Sequence, residues 1–121
     1  MAEIKKEIKP LSEWIKFELD TDLIDPPEIE LRLSPIYSID AIDYFDEKGR
    51  IISFRKMVKG GVFECVREWS LKRGGKEIPL DDETKERHLY PLLGAKLKGK
   101  PQILGLAIWI YATNLDNFLK D

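Results

Sequence analysis

The sequence predicts an α+β fold: an N-terminal antiparallel β-hairpin followed by about four α-helices, in one small domain spanning residues 1–121. Three observations predict it. Apolar residues alternate with charged ones at 15–19 and again at 29–33, the period of a half-buried strand. Beyond residue 34 the apolar spacing becomes three and four, the period of a helix. Pro, Gly, Asp and Ser residues punctuate the changes of period.

Residues 1–11 read as a polar, flexible lead-in. Ile15, Phe17 and Leu19 then alternate with Lys16 and Glu18. Residues 20–27, rich in Asp and Pro, must turn. Ile29, Leu31 and Leu33 alternate with Glu28, Glu30 and Arg32. Two such runs joined by a short loop make an antiparallel hairpin. A lone hairpin is marginal in water, so its apolar face must pack on helices or pair with another chain.

Ser34 and Pro35 suit the N-cap and first position of a helix. Ile36, Ile39, Ile42 and Phe45 follow at helical spacing, with Asp40, Asp43 and Glu47 on another face and Gly49 as the closing residue. Residues 51–57 fit either helix or strand. Gly60-Gly61 marks a break or kink. Val62, Phe63, Val66 and Trp69 have the spacing of a buried helical stripe, with Cys65 beside it.

Residues 69–84 are the most informative stretch. They read as a helix ending on Trp69, a tight basic turn at Gly74-Gly75, an extended piece and a new helix start. Pro79 keeps Ile78 out of helical geometry. Asp81 or Asp82 can accept from the free amides of the next helix, and Glu83 suits its dipole. That helix carries Leu89, Leu92 and Leu93, and Pro91 kinks or interrupts it. A basic turn at 94–100 leads to the last helix, with Pro101 early in it. Ile103, Leu104, Ala107, Ile108, Tyr111, Ala112, Leu115, Phe118 and Leu119 form its broad apolar face.

Hydrophobic residues at 43% and charged residues at 35% describe a soluble protein, large enough at 121 residues to bury one core without staples. The net charge of −2 gives no overall bias towards nucleic acid. Charge is unevenly distributed: residues 1–50 hold 7 Lys/Arg against 13 Asp/Glu, and residues 51–121 hold 13 against 9. Such asymmetry either steers partners and self-association or marks two ordinary solvated faces. The single cysteine suits a reducing cytoplasm. The start lacks the apolar segment of a secretory signal, and the apolar block 103–112 is too short to span a bilayer. We therefore expect a cytoplasmic protein with no membrane partner.

Catalytic chemistry finds few residues to use. Cys65 and His88 are the lone cysteine and histidine, so zinc is excluded on ligand number. A nucleophilic pair would require Cys65 to be accessible, against the usual burial of cysteine. Asp20, Asp22 and Asp25 lack the glycine and the closing glutamate of a calcium loop. Asp40, Asp43 and Glu47 read as a solvated row or a site for a cation or basic partner. No Walker A or dinucleotide fingerprint is present. Lys72, Arg73, Lys76, Lys96, Lys98 and Lys100 have few interleaved aromatics for stacking on bases. The expectation is a protein without catalysis, cofactor, metal or nucleic acid.

A helix running into Trp69, the turn at Gly75-Lys76, Ile78-Pro79-Leu80, the start at Asp81-Asp82-Glu83, and Leu89 with Leu92-Leu93 resemble the small tail assembly chaperones of tailed phages and prophages. The run from Glu28 to Pro35 resembles the strand-to-helix entry of that family. The resemblance is densest over 62–93. Asp81 stands where such proteins often place Thr or Ser, and Lys72 and Arg73 are additional. The resemblance implies a non-enzymatic protein of the host cytoplasm. It would self-associate, coat a long helical tape-measure protein, keep it soluble and help recruit tail-tube subunits. Such a role requires apolar surface for an amphipathic helix. The residues assigned to that surface are Ile29, Leu31 and Leu33 on the hairpin, Trp69, and Ile108, Tyr111, Leu115 and Phe118 on the last helix. The same residues would alternatively close the core. The other reading of the whole chain is a small homo-oligomeric adaptor or regulatory module of unknown partner.

Overall fold

Strand β1 (Ile15–Asp20) and strand β2 (Glu28–Leu33) form the expected hairpin, with Ile15 opposite Leu31 and Phe17 opposite Ile29. The structure is a computed structural model and describes residues 2–3, 11–37 and 42–120, with side chains as far as Leu115 and without that of Ile42. The lead-in at 1–11 lies almost wholly outside those residues. Phe17, Leu19, Ile29, Leu31 and Leu33 turn inward, while Lys16, Glu18, Asp20 and Glu30 face water. That alternation sets the register, because a slip of one residue would exchange the two faces.

Two further strands complete an antiparallel sheet. Strand β3 (Val66–Trp69) pairs with β2, placing Trp69 opposite Leu31. After the small ribbon of β4 (Lys72–Arg73) and β5 (Lys76–Glu77), strand β6 (Lys96–Leu97) pairs with β1. The order is β3-β2-β1-β6. The segment 28–33, assigned above to a binding surface, is therefore an interior strand paired on both sides.

Among the described residues three helices cover the apolar face, where about four were expected. Helix α1 (54–65) starts at the Ser53 cap, widens into a π-turn at Val58–Val62, and ends at Cys65. Helix α2 (82–93) likewise contains a π-turn, Lys85–Leu89, just before Pro91. Proline lacks an N–H to donate, and the wider turn lets the helix pass through it without ending. Helix α3 is Leu104–Lys120, starting three residues after Pro101 because Ile103 is held in a bridge to Lys96.

The helix expected from Ser34 is absent from the described residues. The Ser34 N–H donates to Cys65 O and the Ile36 N–H to Ala112 O, and these two tertiary bonds hold residues 34–36 out of helical form. A single 3-10 turn, Ile42–Tyr44, follows, and Phe45 bridges Ile51 across a turn in which Gly49 has φ of 78°. Gly49 thus closes a hairpin-like turn and not a helix. Ile39 and Asp40 lie outside the described residues.

The stripe through Trp69 is corrected as well. Val66 and Trp69 are three apart, a helical spacing, yet both are buried from a strand. The register shifts between Arg32 and Leu33, which leaves Arg67 as an extra residue. A bulge adds one position to the two-residue period and so imitates a helix.

The core between sheet and helices is one cluster. Leu31, Leu33, Met57, Val62, Val66, Leu89, Leu104 and Ile108 have almost no exposure. Trp109 packs edge-on against Tyr44, with centroids 5.8 Å apart, and its ring lies directly on Gly61. Helices α1 and α2 join through Phe63 edge-on to Tyr90, the Lys59–Glu86 ion pair at 3.3 Å, and the Lys85 ammonium on the Phe63 carbonyl.

Candidate protein-binding site

The segment after Trp69 follows the expected local chemistry closely. Gly74 and Gly75 have φ of 58° and 79°, the two positive values a two-residue type I′ turn needs, and Arg73 pairs with Lys76 across it. The Trp69 indole N–H donates to Ile78 O at 2.7 Å and locks the extended piece onto the sheet. Asp81 is the N-cap: the Thr84 N–H donates to Asp81 Oδ1 at 2.8 Å, and the Asp81 N–H donates to Thr84 Oγ1 at 2.9 Å. The hydrogen bond from the Thr84 amide holds the Asp81 carboxyl below its usual range of about 3.8.

Cys65 is buried, and its thiol donates to Val62 O at 3.3 Å. Burial pushes the thiol up to about 12, which favours the protonated form over the thiolate at neutral pH. Burial also lowers Lys85, whose ammonium is spent on the Phe63 carbonyl. Among the described residues no three His, Cys, Asp or Glu side chains come together as metal ligands. None of the described helices is long and apolar enough to cross a membrane. The basic residues divide: Lys72, Arg73 and Lys76 extend from the β3 side of the sheet, and Lys96, Lys98 and Lys100 lie at its β6 edge.

The residues assigned to a binding surface occupy four situations. Ile29, Leu31, Leu33, Trp69 and Ile108 are buried in this chain's own core. Leu115 is half-buried, and Tyr111 is exposed. The side chain of Phe118 lies outside the described residues. Tyr111 is thus the one assigned residue found on the described surface.

The exposed apolar surface gathers elsewhere. Ile51, Ile52 and Phe54 are exposed at 45%, 62% and 40%. Phe54 opens onto a groove of about 380 Å³ lined by Val58, Tyr90, Leu93 and Ile103, with Arg55 its lone charge. This groove lies between the start of α1 and the end of α2. Large apolar side chains clustered around a concave surface mark a docking site more often than scattered ones do. A second groove of about 500 Å³, between β1 and α3, includes Ile15, Ile110 and Tyr111 beside Lys98 and Lys100. A further cavity, about 970 Å³, has a mixed polar lining that includes Tyr44, Glu64 and Arg67.

Sequence reasoning missed Ile51, Ile52 and Phe54. The signal was present: the apolar residues Ile51, Ile52 and Phe54 between Arg50 and Arg55 lie in a segment that neither period assigns to one buried face. An apolar cluster belonging to no buried face is a surface candidate. This chain matches no protein-family model, and no curated protein or solved structure is significantly similar to it.

Proposed function

We propose that this protein is a non-catalytic binding protein of the tail assembly chaperone kind. In this reading it engages a long helical tape-measure protein, keeps it soluble and assists assembly with tail-tube subunits. The observation that carries the reading is the groove of Phe54, Val58, Tyr90, Leu93 and Ile103, with the exposed Ile51 and Ile52 just before Phe54 in the chain. An amphipathic helix lays apolar residues at i, i+3, i+4 and i+7 into such a groove, and its polar face stays in water. Repeated along a tape-measure protein, such helices would take up many copies of a small binder. The buried, protonated Cys65 agrees with a role that needs no covalent step.

The test is size-exclusion chromatography with light scattering, on the protein alone and coexpressed with the tape-measure protein of the same genome. The expected result is a soluble complex with several copies per client. The double variant Ile52→Glu, Phe54→Glu alters two exposed positions and should abolish that complex while leaving the fold intact. A monomer or fixed dimer that ignores the client would overturn the reading and favour an adaptor of another partner.

A further inference from the structure

The part of the β1 edge that no described strand covers bears on a second kind of partner contact, on a surface that shares no residue with the groove at Phe54. The Leu19 N–H donates to Pro27 O, on the β2 side. Main-chain groups alternate sides along a strand, so the even-numbered residues of β1 face the other edge. There Asp20 pairs with Lys96, and Glu18 O accepts from the Lys98 N–H at 2.9 Å. Lys16 is next along that edge. The chain leaves it first: Lys100 N–H turns back to Leu97 O, and Leu97 N–H donates to Gln102 O. Among the described residues, no strand pairs with Lys16 on this side.

The groove of about 500 Å³ lies along this free edge. Ile15, Leu97, Ile110 and Tyr111 supply apolar lining, and Lys98 and Lys100 supply charge. Lys16 is already paired with Glu28 at 3.0 Å. Lys98 and Lys100 join no ion pair among the described residues, and Glu18 is the single acid of the lining. A second copy laid on this edge would bring its own lysines against these, and like charges oppose pairing.

We infer that this edge accepts a strand from a partner protein, an extended segment in which apolar residues alternate with acidic ones. The Lys16 main chain would supply the ladder hydrogen bonds. Ile110 and Tyr111 would receive the apolar side chains, and Lys98 and Lys100 the carboxylates. This is strand addition, with specificity from the period-two pattern and from charge.

The experiment titrates the isotope-labelled full chain with an eight-residue peptide alternating valine and glutamate, read by amide NMR. The expected result is a shift of the Lys16 amide and of Tyr111, weakened by salt. The Lys98→Glu, Lys100→Glu variant should bind about tenfold or more weakly, since both charges at the rim reverse. A peptide with lysine in place of glutamate, or one methylated at the bonding amides, should not bind. Equal binding of the lysine or methylated peptide would overturn the inference, as would a silent Lys16 amide. So would a Lys16 amide already protected from exchange in the free protein. Concentration-independent protection would assign the edge to a segment of this chain, and concentration-dependent protection to a second copy.

Discussion

The Lys85 ammonium donates a hydrogen bond to the main-chain carbonyl of Phe63, tying helix α2 to the last turn of helix α1. Carbonyls at the end of a helix lack intrahelical partners, and a cation there is favourable for both hydrogen bonding and dipole. The contact sits between two π-turns, Val58–Val62 and Lys85–Leu89, and the second of these carries Lys85 itself. The joint between the two helices therefore combines this buried lysine with the Phe63–Tyr90 ring contact and the Lys59–Glu86 ion pair.

Replacing Lys85 with Met should lower unfolding free energy by about 1–3 kcal/mol, the usual cost of leaving a buried acceptor unpaired. Chemical denaturation measures this. The replacement also changes the pH dependence. Burial, the largest cause, lowers the Lys85 pKa in the folded state from its usual 10.5. Between the folded and unfolded values the unfolded chain binds more protons, so stability rises with pH across that window. The difference between native protein and Lys85→Met should show that rise, ending near the unfolded value.

Gly61→Ala should be markedly worse than Gly60→Ala. A Cβ at Gly61 would run into the buried Trp109 ring, which Tyr44 and Phe45 also contact. Overpacking of this kind costs about 1–3 kcal/mol. A Cβ at Gly60 would meet the Tyr44 hydroxyl, the far end of a half-buried side chain that can swing away. Thermal melts of the two variants should rank in that order, and equal losses would refute the packing account.

The Asp81 cap should be visible in acid. Its folded pKa lies below the usual 3.8 because it accepts the Thr84 amide. The stabilisation is complete above the unfolded value and is lost as pH falls through the folded one. Asp81→Asn keeps an acceptor for Thr84 and should remove this acid sensitivity while holding stability near neutral pH. Asp81→Ala should lower stability near neutral pH as well. Melting temperatures from pH 2 to 7, roughly the span over which carboxylates titrate, separate the three proteins.

Gly74→Asn should leave the protein as stable as before or slightly more so. Asn tolerates positive φ better than other side chains, and Asn-Gly is favoured in type I′ turns. Removing one glycine from the unfolded chain adds up to about 1 kcal/mol. Gly74→Val should do the reverse, because a β-branched residue resists φ of 58°.

The β1–β2 hairpin, the Gly74-Gly75 turn, the Asp81 helix start and the buried positions Leu104, Ala107, Ile108 and Ala112 of the last helix were legible in the chain. Each is set by residues within one strand or one helical turn, where steric and hydrogen-bonding preferences act without distant partners. Strand β3 was not legible, because the bulge at Arg67 exists only through pairing with Arg32 and Leu33, more than thirty residues away. The helix expected at Ser34 failed for a related reason. Bonds from Ser34 to Cys65 and from Ile36 to Ala112 tie the segment to distant elements, and the local Ser-Pro signal carries no information about those partners. The binding surfaces depended most on tertiary structure. Leu31 and Tyr111 look equally apolar in the chain, yet β3 and the helices cover the first and nothing among the described residues covers the second. Exposure depends on what packs against a residue, and local pattern does not encode it.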